Sequence, residues 1–291
     1  MTGALLCFSA SAVAVRELGK NFTTFEILSI RSGFGLAVLL VLVALRADLR
    51  KELAFKRMGL HFARNCVHFC GTYTWTLAVT LLPFATVFAL EFTTPVWVAL
   101  LAIPLLGERM TWSRAGSIVL SFLGVLVIVR PGLASFQPAA LLVLGAALAF
   151  AISLIQTKML TAYASTFAII FWMNLMQLPM GLAGSDPMFV TRLDGITVIP
   201  AVALGLAGLL SHLCLTNAFR SGDATVVVPL DFLRIPLIAT VGWLFYGEGV
   251  DIFVFAGAGL IICGVLWNLY AESKRRPPTG LGPEKAAIAD A

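Results

Sequence analysis

The chain has 291 residues, 59% of them hydrophobic and only 12% charged, with a mean hydropathy of +0.95. Soluble domains are nearer half apolar and a quarter charged, so a water-soluble enzyme or a nucleic-acid binder is excluded as the starting assumption. The net charge of +5 is spread between apolar runs rather than gathered in one patch, which speaks for a chain threaded through a lipid bilayer.

An α-helix needs about 20 mostly apolar residues to cross a bilayer. Charges and Gly/Pro punctuation predict ten such helices, over residues 2–15, 24–45, 59–82, 84–106, 115–129, 138–157, 166–183, 198–219, 225–246 and 250–270. The fold class is therefore an all-α integral membrane protein. A β-barrel would alternate apolar and polar residues, whereas 84–106 and 116–129 are apolar on all sides. The first run has no basic residue before it and no small-residue cleavage site, so it is expected to be a short first span and not a removed signal peptide. Only Leu82 and Pro83 join the third and fourth helices, a tight hairpin. All five cysteines sit in apolar runs as small hydrophobes, and no disulfide framework is expected. Residues 272–291 turn charged and rich in Pro and Gly and are expected to form a disordered cytoplasmic tail.

Arg31, Arg64 and Arg234 fall within the apolar runs; the other 17 of the 20 Lys and Arg fall between them and divide thirteen to four. Arg16, Lys20, Arg130 and Arg192 make up the smaller set, and the positive-inside rule then puts both termini in the cytoplasm.

The sequence also repeats itself at a spacing of about 140 residues. Leu105-Leu106-Gly107-Glu108 matches Phe245-Tyr246-Gly247-Glu248, Gly124-Val125-Leu126 matches Gly264-Val265-Leu266, and Glu91 falls opposite Asp231. Near the start of each half, Thr24-Phe25 matches Thr166-Phe167. Each half, 1–130 and 137–271, holds five helices, so the second enters the membrane with opposite orientation. Inverted repeats of this kind are built for transport.

Two five-helix halves, each with a Gly-Glu after its fourth helix (Gly107-Glu108, Gly247-Glu248) and a Gly-rich fifth helix (Gly116, Gly124; Gly257, Gly259, Gly264), resemble the EamA-type branch of the drug/metabolite transporter superfamily. The resemblance covers about residues 1–271. It implies a carrier of the bacterial inner membrane, often an exporter of amino acids or similar metabolites. Its cavity would be lined by helices one to four and six to nine, with the fifth and tenth peripheral. The alternatives are an importer of a larger metabolite such as a nucleotide derivative, or a membrane-embedded enzyme or assembly subunit.

Ionisable groups at membrane depth are costly and mark wet cavities or pairs. Glu26, Arg31, Arg64, His68, Glu91, His212, Asp231 and Arg234 are the candidates. Glu26 and the histidines have a plainer reading as caps and cross-braces near an interface, and Asp231 and Arg234 as an i,i+3 pair on one helix. Glu91 and Asp231 stand out, because Pro95 and Pro236 free the carbonyls of Glu91 and Phe232 from helical bonding. A carboxylate beside a freed carbonyl suits a substrate ammonium or a transported proton, while Thr93 and Thr94 offer a simpler repair of the kink. Arg31 or Arg64 would hold the acid end of an amphoteric solute, and Arg31 or Arg234 would pair with the acids. Tyr73, Trp75, Trp97, Trp172 and Trp243 lie inside spans rather than only at their ends, and some are expected to line the cavity. Asn174, Gln177 and Asn217 can orient a solute or bond across helices. No Walker, His-Glu-x-x-His or Gly-x-Ser-x-Gly motif is present. Cys66, His68 and Cys70 do not make a metal ligand set, so neither cofactor nor metal is expected.

Overall fold

A computed structural model describes residues 2–53, 55–106, 110–130, 137–221, 233–249 and 251–274. Among them every regular element is helical. Apolar side chains on all faces leave a chain in lipid no other way to satisfy its backbone amides within one segment.

The helices are α1 (Thr2–Leu18), α2 (Thr24–Leu45), the short α3 (Ala47–Glu52), α4 (Met58–Leu81), α5 (Phe84–Glu91), α6 (Thr94–Leu106), α7 (Trp112–Val129), α8 (Ala140–Leu160), α9 (Thr166–Leu182), α10 (Val198–Ser221), α11 (Arg234–Tyr246) and α12 (Ile252–Ser273). Five stretches are long and apolar enough to span a membrane: Thr24–Leu45, Phe84–Leu101, Trp112–Val129, Ala140–Leu160 and Ile252–Ser273. Shorter apolar helices occupy Thr166–Leu182, Val198–Ser211 and Arg234–Tyr246. α4 is 24 residues long yet too polar to count among the spans, because His61, Arg64, Asn65 and His68 fill its first half.

Two differences from the predicted elements matter. The expected single helix 84–106 is interrupted after Glu91, and α3 and a 3-10 turn at Phe189–Arg192 lie in connections expected to be irregular. The predicted start of the ninth helix lies outside the described residues.

Local chemistry fixes the ends. Thr23 and Glu26 form a reciprocal capping box at the start of α2, and Ser165 caps α9 through the Ala168 amide. Asp194 accepts from the Thr197 and Ile196 amides and the Thr197 hydroxyl before α10. Those bonds, led by the Thr197 amide, hold its carboxyl below the ordinary carboxylate range.

The most extensive helix contacts pair α7 with α12, α4 with α8, α1 with α10 and α2 with α9. α7 and α12 approach backbone to backbone: a Cβ added at Gly124 would lie 2.5 Å from the Gly257 carbonyl oxygen, and one at Gly257 2.5 Å from that of Gly124. Two turns away the Gly264 Cβ position lies 2.9 Å from the Ser117 carbonyl. Small residues are what allow such approach where lipid supplies no hydrophobic drive. Gly145, in the interior of α8, faces open space. Gly124→Ala should therefore cost about 1–3 kcal/mol by overpacking, read as a lower melting temperature, while Gly145→Ala leaves it unchanged or raises it. Equal effects would refute the close crossing.

Candidate functional site

The break after Glu91 follows from one missing amide. Pro95 has no N–H to give the Glu91 carbonyl, and the Val96 and Trp97 amides turn to the Thr93 carbonyl at 2.9 and 3.2 Å. The released carbonyls are satisfied at once, since the Thr93 hydroxyl donates to Leu90 O and the Thr94 hydroxyl to Glu91 O, both at 2.7 Å. Of the two carbonyls expected to face a ligand, that of Phe232 lies outside the described residues and that of Glu91 is held by the Thr94 hydroxyl, which leaves the side chain of Glu91 for that role.

That side chain joins the two halves of the chain. Trp75 Nε1 donates to Glu91 Oε2 at 2.7 Å, and Arg234 Nη2 lies 3.5 Å from Oε1. Glu91 is 16% exposed and Arg234 5%, so both charges are largely removed from water. Three aromatic rings complete the setting of the guanidinium: Phe8 at 4.5 Å and Phe88 and Phe92 at 5.1 Å from their centroids. A cation over ring faces gains from their quadrupoles most when desolvated. α1, α4, α5 and α11 thus meet at one charged point. Of the two arginines expected to pair with the acids, Arg234 does so with Glu91.

Arg31 has no acid and no hydrogen-bond partner among the described residues, and it lies against the bare backbone of Gly208 in α10. Arg64 bonds to neutral groups, the Asn65 carbonyl oxygen at 2.9 Å and the Thr157 hydroxyl at 3.2 Å. His68 bridges to α9 through Gln177 at 2.9 Å. Asn174 donates to the Ile170 carbonyl at 2.9 Å and packs where Gly35 leaves room, which makes it a helix brace. Tyr73 stacks on Phe25 with centroids 4.8 Å apart.

The tryptophans separate. Trp75 and Trp172 turn inward, Trp172 being 6% exposed, whereas Trp97 meets Phe122 of α7 edge-on at 6.3 Å. Trp243, expected among the inward aromatics, is 58% exposed on the outside of the bundle. Asp231 and the side chains of His212 and Asn217 lie outside the described residues.

Of the two Gly-Glu pairs that mark the repeat, Gly107-Glu108 lies outside the described residues, and Gly247-Glu248 has a physical role. Gly247 adopts a left-handed conformation, φ +63°, that turns the chain back at the end of α11. Glu248 then reaches Arg16 at 2.7 Å and the Phe84 amide at 2.8 Å. Arg16 also donates to the Val79 and Leu82 carbonyls, each at 2.6 Å, and covers the Phe84 ring at 4.0 Å. The other basic residues of the smaller set are paired too: Lys20 with Glu17 at 2.6 Å, Arg130 with Asp251, and Arg192 with the buried Glu26. A double-mutant cycle of Arg16→Met and Glu248→Gln should return a coupling of about 0.5–3 kcal/mol in thermal unfolding. Simple additivity would mean that the pair closes nothing.

The EamA-like transporter family matches residues 1–130 and again residues 137–270. The chain belongs to that family. It is similar to the S-adenosylmethionine uptake transporter of Rickettsia felis, with 28% identity over 270 residues, 93% of this chain and 91% of that protein. The riboflavin transporter of Brucella anthropi is 27% identical over 94% of this chain and 98% of its own length. The pseudopaline exporter of Pseudomonas aeruginosa is 27% identical over 88% and 89%. A crystal structure of 16% sequence identity shares the fold, with a TM-score of 0.62 over 95% of this chain and 97% of that one. The protein is a multi-pass membrane transporter of a small metabolite, and the enzyme and assembly-subunit readings give way. The S-adenosylmethionine and riboflavin relatives lend no support to the expected amino-acid export; the larger-metabolite importer fits them better.

Proposed function

We propose that the protein takes up a metabolite of nucleoside or flavin size across the bacterial inner membrane, by alternating access of two inverted five-helix halves, 1–130 and 137–271. The observation that carries this reading is the Glu91–Arg234 contact, which closes the broken fourth run of the first half against the second half inside an apolar bundle. A buried pair of this kind has to part or exchange partners when the halves rock, and a solute with its own charge is a natural replacement partner.

Several features support the inverted halves. Displaced by about 140 residues, the α7–α12 and α2–α9 contacts map onto themselves and α4–α8 maps onto α10–α1. The Gly124–Gly257 and Ser117–Gly264 approaches exchange in the same way. The twin family match has the same division. Uptake is supported by the name of the S-adenosylmethionine relative, and a flavin-sized solute by that of the riboflavin relative. Size is supported by the aromatic cluster of Phe8, Trp75, Phe88 and Phe92 around the pair, with rings to cover a flat heterocycle. Glu91 and its repeat counterpart Asp231 are the polar centre, and Glu91 carries the coupling proton.

Purified protein in liposomes should accumulate labelled S-adenosylmethionine or riboflavin, faster with an inward proton gradient. Glu91→Gln, which keeps an acceptor for Trp75, should cut uptake by at least tenfold and abolish the gradient effect. Uptake that survives with its gradient dependence intact would leave Glu91 a structural residue.

Both termini lie in the cytoplasm, a reading supported by the thirteen-to-four division of basic residues. In a cysteine-free background, Lys51→Cys should react with an impermeant maleimide only from the cytoplasmic side, and Gly195→Cys only from the opposite one. Labelling of both from one side would overturn the inverted topology.

A further inference from the structure

His61, which no sequence pattern singled out, is a buried polar side chain left unsatisfied. It is 1% exposed, and neither ring nitrogen has a hydrogen-bond partner among the described residues. Trp172 of α9, with its ring centroid 6.5 Å away, also has its indole Nε1 buried and unbonded. Arg64 follows His61 by three residues on the same face of α4, and its Nη2 makes no hydrogen bond among the described residues. Asn65, one position on, ties the two helices together by donating to the Trp172 carbonyl at 3.5 Å.

An unpaired N–H in a dry interior forfeits its hydration with nothing in return, and an imidazole always carries at least one such donor. Two of them side by side, next to a guanidinium bonded only to neutral groups, make a donor cluster without an acceptor. No acid among the described residues forms an ion pair with Arg64 or Arg31. The matching chemistry is an anionic acceptor of a few atoms. Phe55, 79% exposed, packs tilted against Trp172 with ring centroids 5.0 Å apart, so the cluster adjoins the protein surface there.

We propose that His61, Arg64 and Trp172 form an anion-accepting subsite that holds the carboxylate or phosphate of the transported metabolite. This rests on the uptake reading above and narrows its substrate class to heterocyclic metabolites that carry an acid group. His61 and Trp172 are specificity-determining residues, and Arg64 supplies the charge.

The test is binding to the full chain in neutral detergent, followed by thermal stabilisation, with two probe pairs. One is S-adenosylmethionine against its decarboxylated analogue, the other riboflavin 5′-phosphate against riboflavin. In at least one pair the acidic member should bind at least about tenfold tighter, the scale of one charge-assisted hydrogen bond, and the pair that responds tells carboxylate from phosphate. His61→Leu and Trp172→Phe should reduce that preference below threefold. His61→Gln, which restores a neutral donor, should keep most of it and guards against a variant that fails to fold. Equal binding within both pairs, no binding of any probe, or a preference that survives His61→Leu overturns the subsite. Liposome uptake separates the two proposals: transport without acid preference refutes the subsite alone, and acid preference without transport refutes the uptake reading alone.

Discussion

A charge inside a lipid-embedded bundle has to be met by another charge or by oriented dipoles, and in this protein that requirement decides how the two halves of the chain are joined. Arg234 belongs to the second half; among the described residues, its partner Glu91 and the rings of Phe8, Phe88 and Phe92 around it belong to the first. Glu91 can reach it because the helix stops there, and the helix stops because Pro95 withholds one amide. Thr93 and Thr94 keep the break inexpensive by satisfying the carbonyls it exposes. Charge, kink and hydroxyls are thus one device spread over five consecutive residues, and the opposite half closes on it.

The same economy operates at the chain connections. Arg16 satisfies the carbonyls at the end of α4, Glu248 satisfies the first amide of α5, and the two satisfy each other. Helix ends that would otherwise need water are sealed by side chains from elements distant in sequence. α4 shows the complementary case, because a helix surrounded by other helices can carry His61, Arg64, Asn65 and His68 where a lipid-facing one could not.

Much of this was legible in the sequence. Apolar length gave the helices, and Pro95 gave the position of the break, though the continuous apolar run from Phe84 to Leu106 hid that the helix would stop and restart. Arg234 was legible only as one of two arginines that could meet one of two acids, and its aromatic surroundings were not, since Phe8, Phe88 and Phe92 look like any other phenylalanine until three-dimensional packing brings them together. Trp243 misled for a related reason: depth in the membrane says nothing about which way a side chain points on a helix that is apolar all round. His61 escaped because a single histidine near a helix start reads as interfacial, and its isolation becomes visible only when α9 covers it.

The Gly124–Gly257 and Ser117–Gly264 crossings have a mechanical corollary. Two rods in backbone contact at two levels seven residues apart, about 10 Å at a rise of about 1.5 Å per residue, are clamped rather than pivoted. The α7–α12 pair therefore resists sliding and scissoring alike, and any large excursion of the bundle has to arise in the helices that do not share this clamp.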